Sequence, residues 1–182
     1  MKNFYELVLC SSKELKSVRN LVTASLLITL KLILDLFTIQ ITPALHLSFE
    51  FLASATISML FGPVVGAMCG GLSDIINYII NPKGTFFPGF TISAMVGGII
   101  YGIVLYKKNI TVARCIIAEV AIVVIVDILL NTFWLSLLYG KGFNILLPAR
   151  VVKNLVMIPI DVTMMYCILN LVNRIKKNSF LI

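Results

Sequence analysis

The chain has 182 residues, of which 59% are hydrophobic and only 13% are charged, with a formal net charge of +7. Soluble domains carry about a quarter of their residues as charged side chains, so this composition excludes an ordinary soluble domain. Several apolar runs are comparable with the roughly 17–25 residues that cross a bilayer as a helix, and the alternating pattern of a membrane β-barrel is absent. The sequence therefore predicts an all-α integral membrane protein.

Six apolar segments are predicted to be transmembrane helices of a single membrane domain. In chain order they cover residues 21–39, 45–61, 64–80, 89–106, 111–139 and 145–172. Turn-forming sequences separate several of them, notably Phe-Gly-Pro at 61–63 and Asn-Pro-Lys-Gly at 81–84. The predicted organisation is a cytoplasmic N-terminal segment at 1–19, a six-helix core at 20–173 and a basic cytoplasmic tail at 174–182.

The distribution of lysine and arginine predicts the orientation. With the N-terminus inside, ten of the fifteen basic residues lie on the inner side: Lys2, Lys13, Lys16, Arg19, Lys107, Lys108, Arg114, Arg174, Lys176 and Lys177. The outer connections contain only Lys83 and Lys141. Because cytoplasmic loops are enriched in Lys and Arg, both termini are predicted to be cytoplasmic. Basic residues placed beside apolar segments in this way indicate topology signals, and no nucleic-acid partner is predicted.

Motifs of common enzymes are missing from the sequence. It contains no phosphate-binding G-x-x-x-x-G-K-[ST] loop, no H-E-x-x-H and no G-x-S-x-G. The single histidine and the four scattered cysteines have no metal-ligand spacing. The chain is therefore predicted not to be an enzyme, to have no catalytic residues or metal site, and to need no cofactor.

Three groups of polar residues lie in the outer halves of predicted helices, each spaced along one helix face. They are Asp74, Asn77 and Tyr78; Asp127, Asn131 and Trp134; and Arg150, Lys153 and Asn154. An ionisable group inside a bilayer costs about 2.5–3.5 kcal/mol, so such groups usually face a cavity or each other. Three polar faces near the same side predict a cavity that opens to the outside.

Other interpretations exist for several of these residues. Trp134 could belong to the interfacial aromatic belt, and Arg150 or Lys153 could reach the lipid headgroups. Asn131 could bond to another helix without any ligand. Two further carboxylates, Glu119 and Asp161, lie nearer the inner side, where packing or contact with a partner is expected.

Three stretches of the chain resemble the folate-type substrate-binding subunits, or S components, of energy-coupling factor transporters. They are FFPGFTISA (86–94), LLNTFWLSLLYGK (129–141) and LLPARVVKNLVMIPI (146–160). The resemblance implies six transmembrane helices in the bacterial plasma membrane and a vitamin pocket at the outer side. It also implies a transmembrane coupling subunit and two cytoplasmic ATPases, whose ATP hydrolysis drives toppling of the S component within the bilayer. Docking on the coupling subunit would use Ser25 and Thr29, where the family usually has Ala-x-x-x-Ala.

The three polar groups and nearby aromatic residues could bind the different chemical parts of a folate ligand. Tyr78, Phe90 or Trp134 could stack on the pterin ring, and Asp74, Asn77 or Asn131 could bond to its edge. Arg150 could bind a ligand carboxylate as a bidentate fork, with Lys153 adding charge and Asn154 on the same face. The alternatives are another vitamin such as pantothenate or riboflavin, a small membrane enzyme using Asp127 or Glu119, and a structural subunit without a ligand.

Overall fold

The computed structural model describes residues 2–42, 45–82, 85–140 and 143–179. These residues form eight α-helices, one π-helical segment and one two-stranded hairpin. In chain order they are α1 Lys2–Glu14, α2 Val18–Leu36, β1 Ile39–Thr42, β2 Leu45–Leu47, α3 Glu50–Phe61, α4 Pro63–Ile80, α5 Pro88–Leu105, α6 Val112–Ala121, the π-helical segment Ile122–Asn131, α7 Thr132–Tyr139 and α8 Phe143–Ser179. The two cations predicted for the outer connections, Lys83 and Lys141, lie outside the described residues.

Every predicted apolar segment corresponds to helical structure, and the fifth one is a continuous helical run over 112–139. Within the described residues, three stretches are individually long and apolar enough to cross a membrane: Pro63–Ile80, Pro88–Leu105 and Arg150–Lys177. A fourth is possible if α1 and α2, which meet at an angle of 91°, form one broken span. The predominantly helical membrane fold is therefore as predicted.

A hairpin between α2 and α3 departs from the all-α expectation. β1 and β2 are antiparallel, with Ile39 opposite Leu47 and Gln40 opposite His46. The third helix then begins only at Glu50, because residues 45–47 belong to the hairpin, and the Glu50 backbone N–H donates to the Ser48 hydroxyl at 3.2 Å. As a result α3 has 12 residues, fewer than the predicted second segment and fewer than the roughly 20 that span a bilayer.

Glycines allow α4 and α5 to pack with their backbones almost touching. A Cβ atom on Gly98 would lie 2.2 Å from the Gly66 carbonyl oxygen, and one on Gly66 would lie 2.7 Å from the Gly98 carbonyl oxygen. Helix pairs in membranes often use small residues in this way, since van der Waals contact has to supply much of the packing energy. The α4–α5 pair therefore forms a tightly packed wall of the protein.

The predicted N-terminal segment is largely helical, and the buried side chain of Ser11 provides one attachment of α1 to the rest of the fold. Ser11 donates to the Phe61 carbonyl at 2.7 Å and accepts from the backbone N–H groups of Val64 and Val65 at 3.1 and 3.3 Å. It thereby caps α4 at the predicted break, where Gly62 has a φ of +89°.

A second attachment of α1 joins Glu14 to the residue that follows the C-terminal end of α5. The Tyr106 hydroxyl donates to Glu14 Oε1 at 2.8 Å. The N-terminal helix is therefore held at the end of the bundle where the α3–α4 break and the C-terminus of α5 lie side by side.

Most of the apolar core lies at the end of the bundle that holds the C-termini of α3 and α5. Met59, Leu105, Cys115, Met165 and Leu169 belong to one buried cluster that joins α3, α5, α6 and α8. A smaller cluster includes Ala24, Ile57 and Val65 between α2, α3 and α4. This arrangement leaves the opposite half of the bundle for polar side chains and a cavity.

Candidate substrate-binding cavity

A cavity of about 790 Å³ lies among α2, α3, α4, α5, the π-helical segment and α8. Eight of the nine residues predicted to bind substrate line it: Asp74, Asn77, Tyr78, Phe90, Asn131, Arg150, Lys153 and Asn154. Its volume is in the usual range for small-molecule sites. The structure thus brings the three predicted polar groups together around one space.

The α4 side of the cavity is held by hydrogen bonds to neighbouring helices. The Asp74 carboxylate accepts from the Thr91 hydroxyl at 2.7 Å, and the Asn77 amide donates to the Asp35 carboxylate at 2.9 Å. Each of these residues still lines the cavity. Because both side chains are tethered, their remaining polar atoms are presented in fixed directions.

Aromatic rings cover the part of the cavity near the start of α5. Tyr78 and Phe86 lie with ring centroids 5.0 Å apart, and Phe87 and Phe90 lie 6.0 Å apart at an edge-on angle. All four line the cavity. Two of these rings, Phe86 and Phe87, were not among the predicted site residues, although they belong to the FFPGF sequence that precedes α5. Together they provide flat apolar surface for a planar ligand group.

Trp134 lies behind this aromatic group and is not among the cavity-lining residues. Its ring is 5.6 Å from that of Phe87, and its indole N–H donates to the Ser93 hydroxyl at 3.2 Å. A Cβ atom on Gly89 would lie 2.5 Å from the indole, which shows how closely Trp134 packs on the start of α5. Trp134 therefore positions the wall that carries Phe87 and Phe90.

The π-helical segment and α8 meet at Asp127. The Asn131 amide donates to the Asp127 carboxylate at 3.2 Å, and Arg150 Nη1 donates to the Asp127 backbone carbonyl at 3.0 Å. Two buried atoms of this group, Asn131 Oδ1 and Arg150 Nε, have no hydrogen-bond partner among the described residues. A buried polar atom without a partner costs about 1–3 kcal/mol, which is tolerated mainly where a ligand or water completes the bonding.

The remaining members of the α8 group lie close to the same carboxylate. The Lys153 and Arg150 cations are within electrostatic reach of Asp127, and Asn154 is buried, with 6% of its surface exposed. Of the three cations lining the cavity, Lys31 forms an ion pair with Glu50 at 3.8 Å. The α8 side therefore carries the cavity's cationic surface.

Glu119 and Asp161 line the cavity, contrary to the expectation that they serve packing or partner contact. Tyr101 lines it too, and its hydroxyl donates to Glu119 at 3.1 Å. Helical spacing could have revealed both carboxylates. Glu119 precedes Asp127, a member of the second predicted polar group, by eight residues, and Asp161 follows the predicted site residue Asn154 by seven, so each lies near a predicted polar face.

The two residues predicted for docking, Ser25 and Thr29, lie on the outer surface of α2. Both are exposed, and their hydroxyls donate to backbone carbonyls of the same helix, Leu21 at 2.9 Å and Ser25 at 3.0 Å. Their neighbours Leu21, Val22 and Leu26 are exposed as well. The hydroxyls of Ser25 and Thr29 are thus bonded within the helix, and the exposed side chains beside them are apolar.

Comparison with known proteins places this geometry in a family. A family model described as "ECF transporter, substrate-specific component" matches residues 19–169. The chain belongs to this family. The resemblance that the sequence predicted is confirmed at this level, and the substrate-specific component is a multi-pass protein of the bacterial plasma membrane.

Individual relatives match this substrate-specific component over most of its length. The folate transporter FolT of Clostridium novyi (strain NT) is 36% identical over 162 residues, which cover 89% of this chain and 94% of that protein. The folate transporter FolT of Leuconostoc mesenteroides subsp. mesenteroides (strain ATCC 8293) is 34% identical over 158 residues, covering 84% of this chain and 85% of that protein. A solved structure, "Crystal structure of FolT bound with folic acid", superposes with a TM-score of 0.79 at 31% identity, covering 85% of this chain and 94% of that one. The helical arrangement is therefore that of a known membrane transport subunit.

Proposed function

We propose that this chain captures folate at the outer face of the membrane and is the folate-binding subunit of an ECF transporter. The observation that carries the proposal is a cavity of about 790 Å³ that combines aromatic rings on one side with two cations on another. The similar solved structure is of FolT bound with folic acid, and two similar proteins are folate transporters. Pantothenate lacks a ring system that would use the aromatic rings, so it fits the cavity less well.

In this proposal, each side of the cavity recognises a different part of folate. Tyr78 and Phe90, together with Phe86 and Phe87, hold the flat pterin ring between apolar faces. Asp74, Asn77 and Asn131 exchange hydrogen bonds with its edge. Trp134 supports the aromatic rings from behind, and Asn154 supports the neighbouring α8 surface.

The anionic glutamate end of folate binds to Arg150, and Lys153 contributes a second positive charge. Arg150 Nη1 is already bonded to the Asp127 backbone carbonyl, so the guanidinium is held in position, and its buried Nε, which has no partner among the described residues, is left to donate to a ligand carboxylate. Charge-assisted hydrogen bonds of this kind contribute about 1.5–3 kcal/mol, which corresponds to roughly 10- to 100-fold in affinity.

Transport requires a membrane arrangement and partners, and both belong to the proposal. Six helical spans place the N- and C-termini in the cytoplasm and the cavity mouth outside, in agreement with the lysine and arginine distribution. A transmembrane coupling subunit approaches α2 at Ser25 and Thr29, where small side chains permit close helix contact. Two ATPase subunits supply the energy for toppling of the substrate-specific component.

Native mass spectrometry of the purified chain with an equimolar mixture of folate, riboflavin and pantothenate tests the ligand. We expect one folate per chain to be retained and the other two vitamins to be lost. Retention of riboflavin or pantothenate instead would assign a different vitamin. Retention of none at concentrations well above micromolar would contradict the proposal of a vitamin-binding subunit.

A further inference from the structure

Two side chains from different helices donate hydrogen bonds to the same backbone carbonyl, that of Asp127. The Thr132 hydroxyl donates from 3.0 Å and Arg150 Nη1 donates from 3.0 Å. The backbone N–H of Thr132 is directed elsewhere, to the Leu129 carbonyl. The threonine side chain therefore adds a bond between the Asp127 carbonyl and the following turn.

This hydroxyl bond differs from the other threonine bonds in the helices. Thr23, Thr29, Thr56 and Thr163 each donate to the carbonyl four residues earlier, whereas Thr132 reaches five residues back. The longer reach follows from the π-helical segment Ile122–Asn131, which ends immediately before Thr132. π-Helical turns are rare and occur frequently at functional sites. Thr132 is also fully buried, with 0% of its surface exposed.

The hydrogen bond to the Asp127 carbonyl fixes the position of the Arg150 guanidinium. Arg150 extends from α8 toward the cavity, and the only hydrogen bond described for its side chain is the one to Asp127. Its Nε atom has no partner among the described residues. Because this single hydrogen bond holds the Arg150 side chain, a shift of the Asp127 carbonyl would also shift the guanidinium.

We propose that Thr132 is a positioning residue for ligand binding, which fixes the Asp127 carbonyl so that Arg150 is held ready for an anionic ligand group. This inference rests on the proposed function, in which Arg150 binds a carboxylate of folate. Thr132 itself does not touch the ligand, since it is not among the cavity-lining residues. Its effect on affinity must therefore pass through Arg150.

A double-mutant cycle with folate tests this dependence. Thr132→Val removes the hydroxyl at nearly constant size, and Arg150→Gln removes the charge. We expect Thr132→Val alone to weaken folate binding by about fivefold or more, and to change it by less than about twofold when Arg150 is already Gln. Equal losses in both backgrounds would overturn the proposal, because they would show an effect independent of Arg150.

Conservative and matched variants separate positioning from general damage. Thr132→Ser keeps the hydroxyl and should bind folate as the unmodified protein does; a loss like that of Thr132→Val would contradict the proposal. Thr56→Val removes an equally buried hydroxyl on α3, outside the cavity lining, and should leave folate affinity unchanged. If Thr132→Val does not fold, Thr132→Ala and Thr132→Ser are compared in the same cycle. Failure of the unmodified protein to bind folate would instead contradict the proposed function.

Discussion

The contact between Gly66 and Gly98 gives a stability prediction whose size follows from the structure. In Gly98→Ala, the new methyl group would lie 2.2 Å from the Gly66 carbonyl oxygen and 2.3 Å from its carbonyl carbon. Overpacking typically costs about 1–3 kcal/mol, and the upper end applies here because the obstacle is backbone, which cannot rotate away. For a chain of this size, about 3 kcal/mol corresponds to a fall of roughly 6–12 °C in melting temperature.

The adjacent glycine provides the control for this substitution. A methyl group on Gly97 meets only Ile122 Cδ1, at an ordinary distance of 3.7 Å. Gly97→Ala should therefore be neutral or raise the melting temperature slightly, since alanine is favoured over glycine in a helix by about 0.5–1 kcal/mol. Melting of the ligand-free protein in detergent, followed by fluorescence of the single tryptophan, compares the two variants. Equal melting temperatures for Gly98→Ala and Gly97→Ala would refute the close packing of α4 on α5.

Three further predictions concern separate parts of the molecule. Ser11→Ala leaves backbone groups at the start of α4 without their hydrogen-bond partner, so it should lower the free energy of unfolding by about 1–3 kcal/mol. Ser12→Ala, at the exposed neighbouring position, should not lower it, and thermal melting of the two variants compares them. Trp134→Phe should change folate affinity by less than about threefold, because the ring packs behind the cavity lining and only the bond to Ser93 is lost; a tenfold loss in a binding titration would indicate direct stacking. Replacing both Ser25 and Thr29 by Leu should abolish folate uptake by vesicles containing the assembled transporter while binding by the isolated chain is retained, and unimpaired uptake would exclude this face of α2 as the docking surface.

Much of the fold follows from local sequence patterns. Apolar runs predicted a predominantly helical membrane fold, and the Phe-Gly-Pro sequence predicted the break between α3 and α4, where Gly62 adopts a positive φ. The three polar groups predicted a cavity, since polar side chains at the same depth in a membrane need each other or a ligand. What these patterns lack is information on partners that are distant in sequence, such as Ser11, which caps α4 from 53 residues away.

The π-helical segment explains why the predicted direction of Trp134 differs from the structure. Asp127, Asn131 and Trp134 share one face only if every turn of the helix contains 3.6 residues. A π-helical turn contains more residues, so Trp134 is rotated by roughly a quarter of a turn from the expected face. Local sequence patterns did not reveal the wider turn, and one of the side chains that bonds to the Asp127 carbonyl, Arg150, comes from another helix.

The central claim is that the cavity binds folate through Arg150, and calorimetric titration of the purified chain with folate tests it most directly. Arg114→Gln is the matched control, since this arginine lies on α6 away from the cavity lining. We expect one folate per chain, affinity lowered roughly 10- to 100-fold in Arg150→Gln, and unchanged affinity in Arg114→Gln. No measurable heat of folate binding, or equal affinity in all three proteins, would contradict the claim.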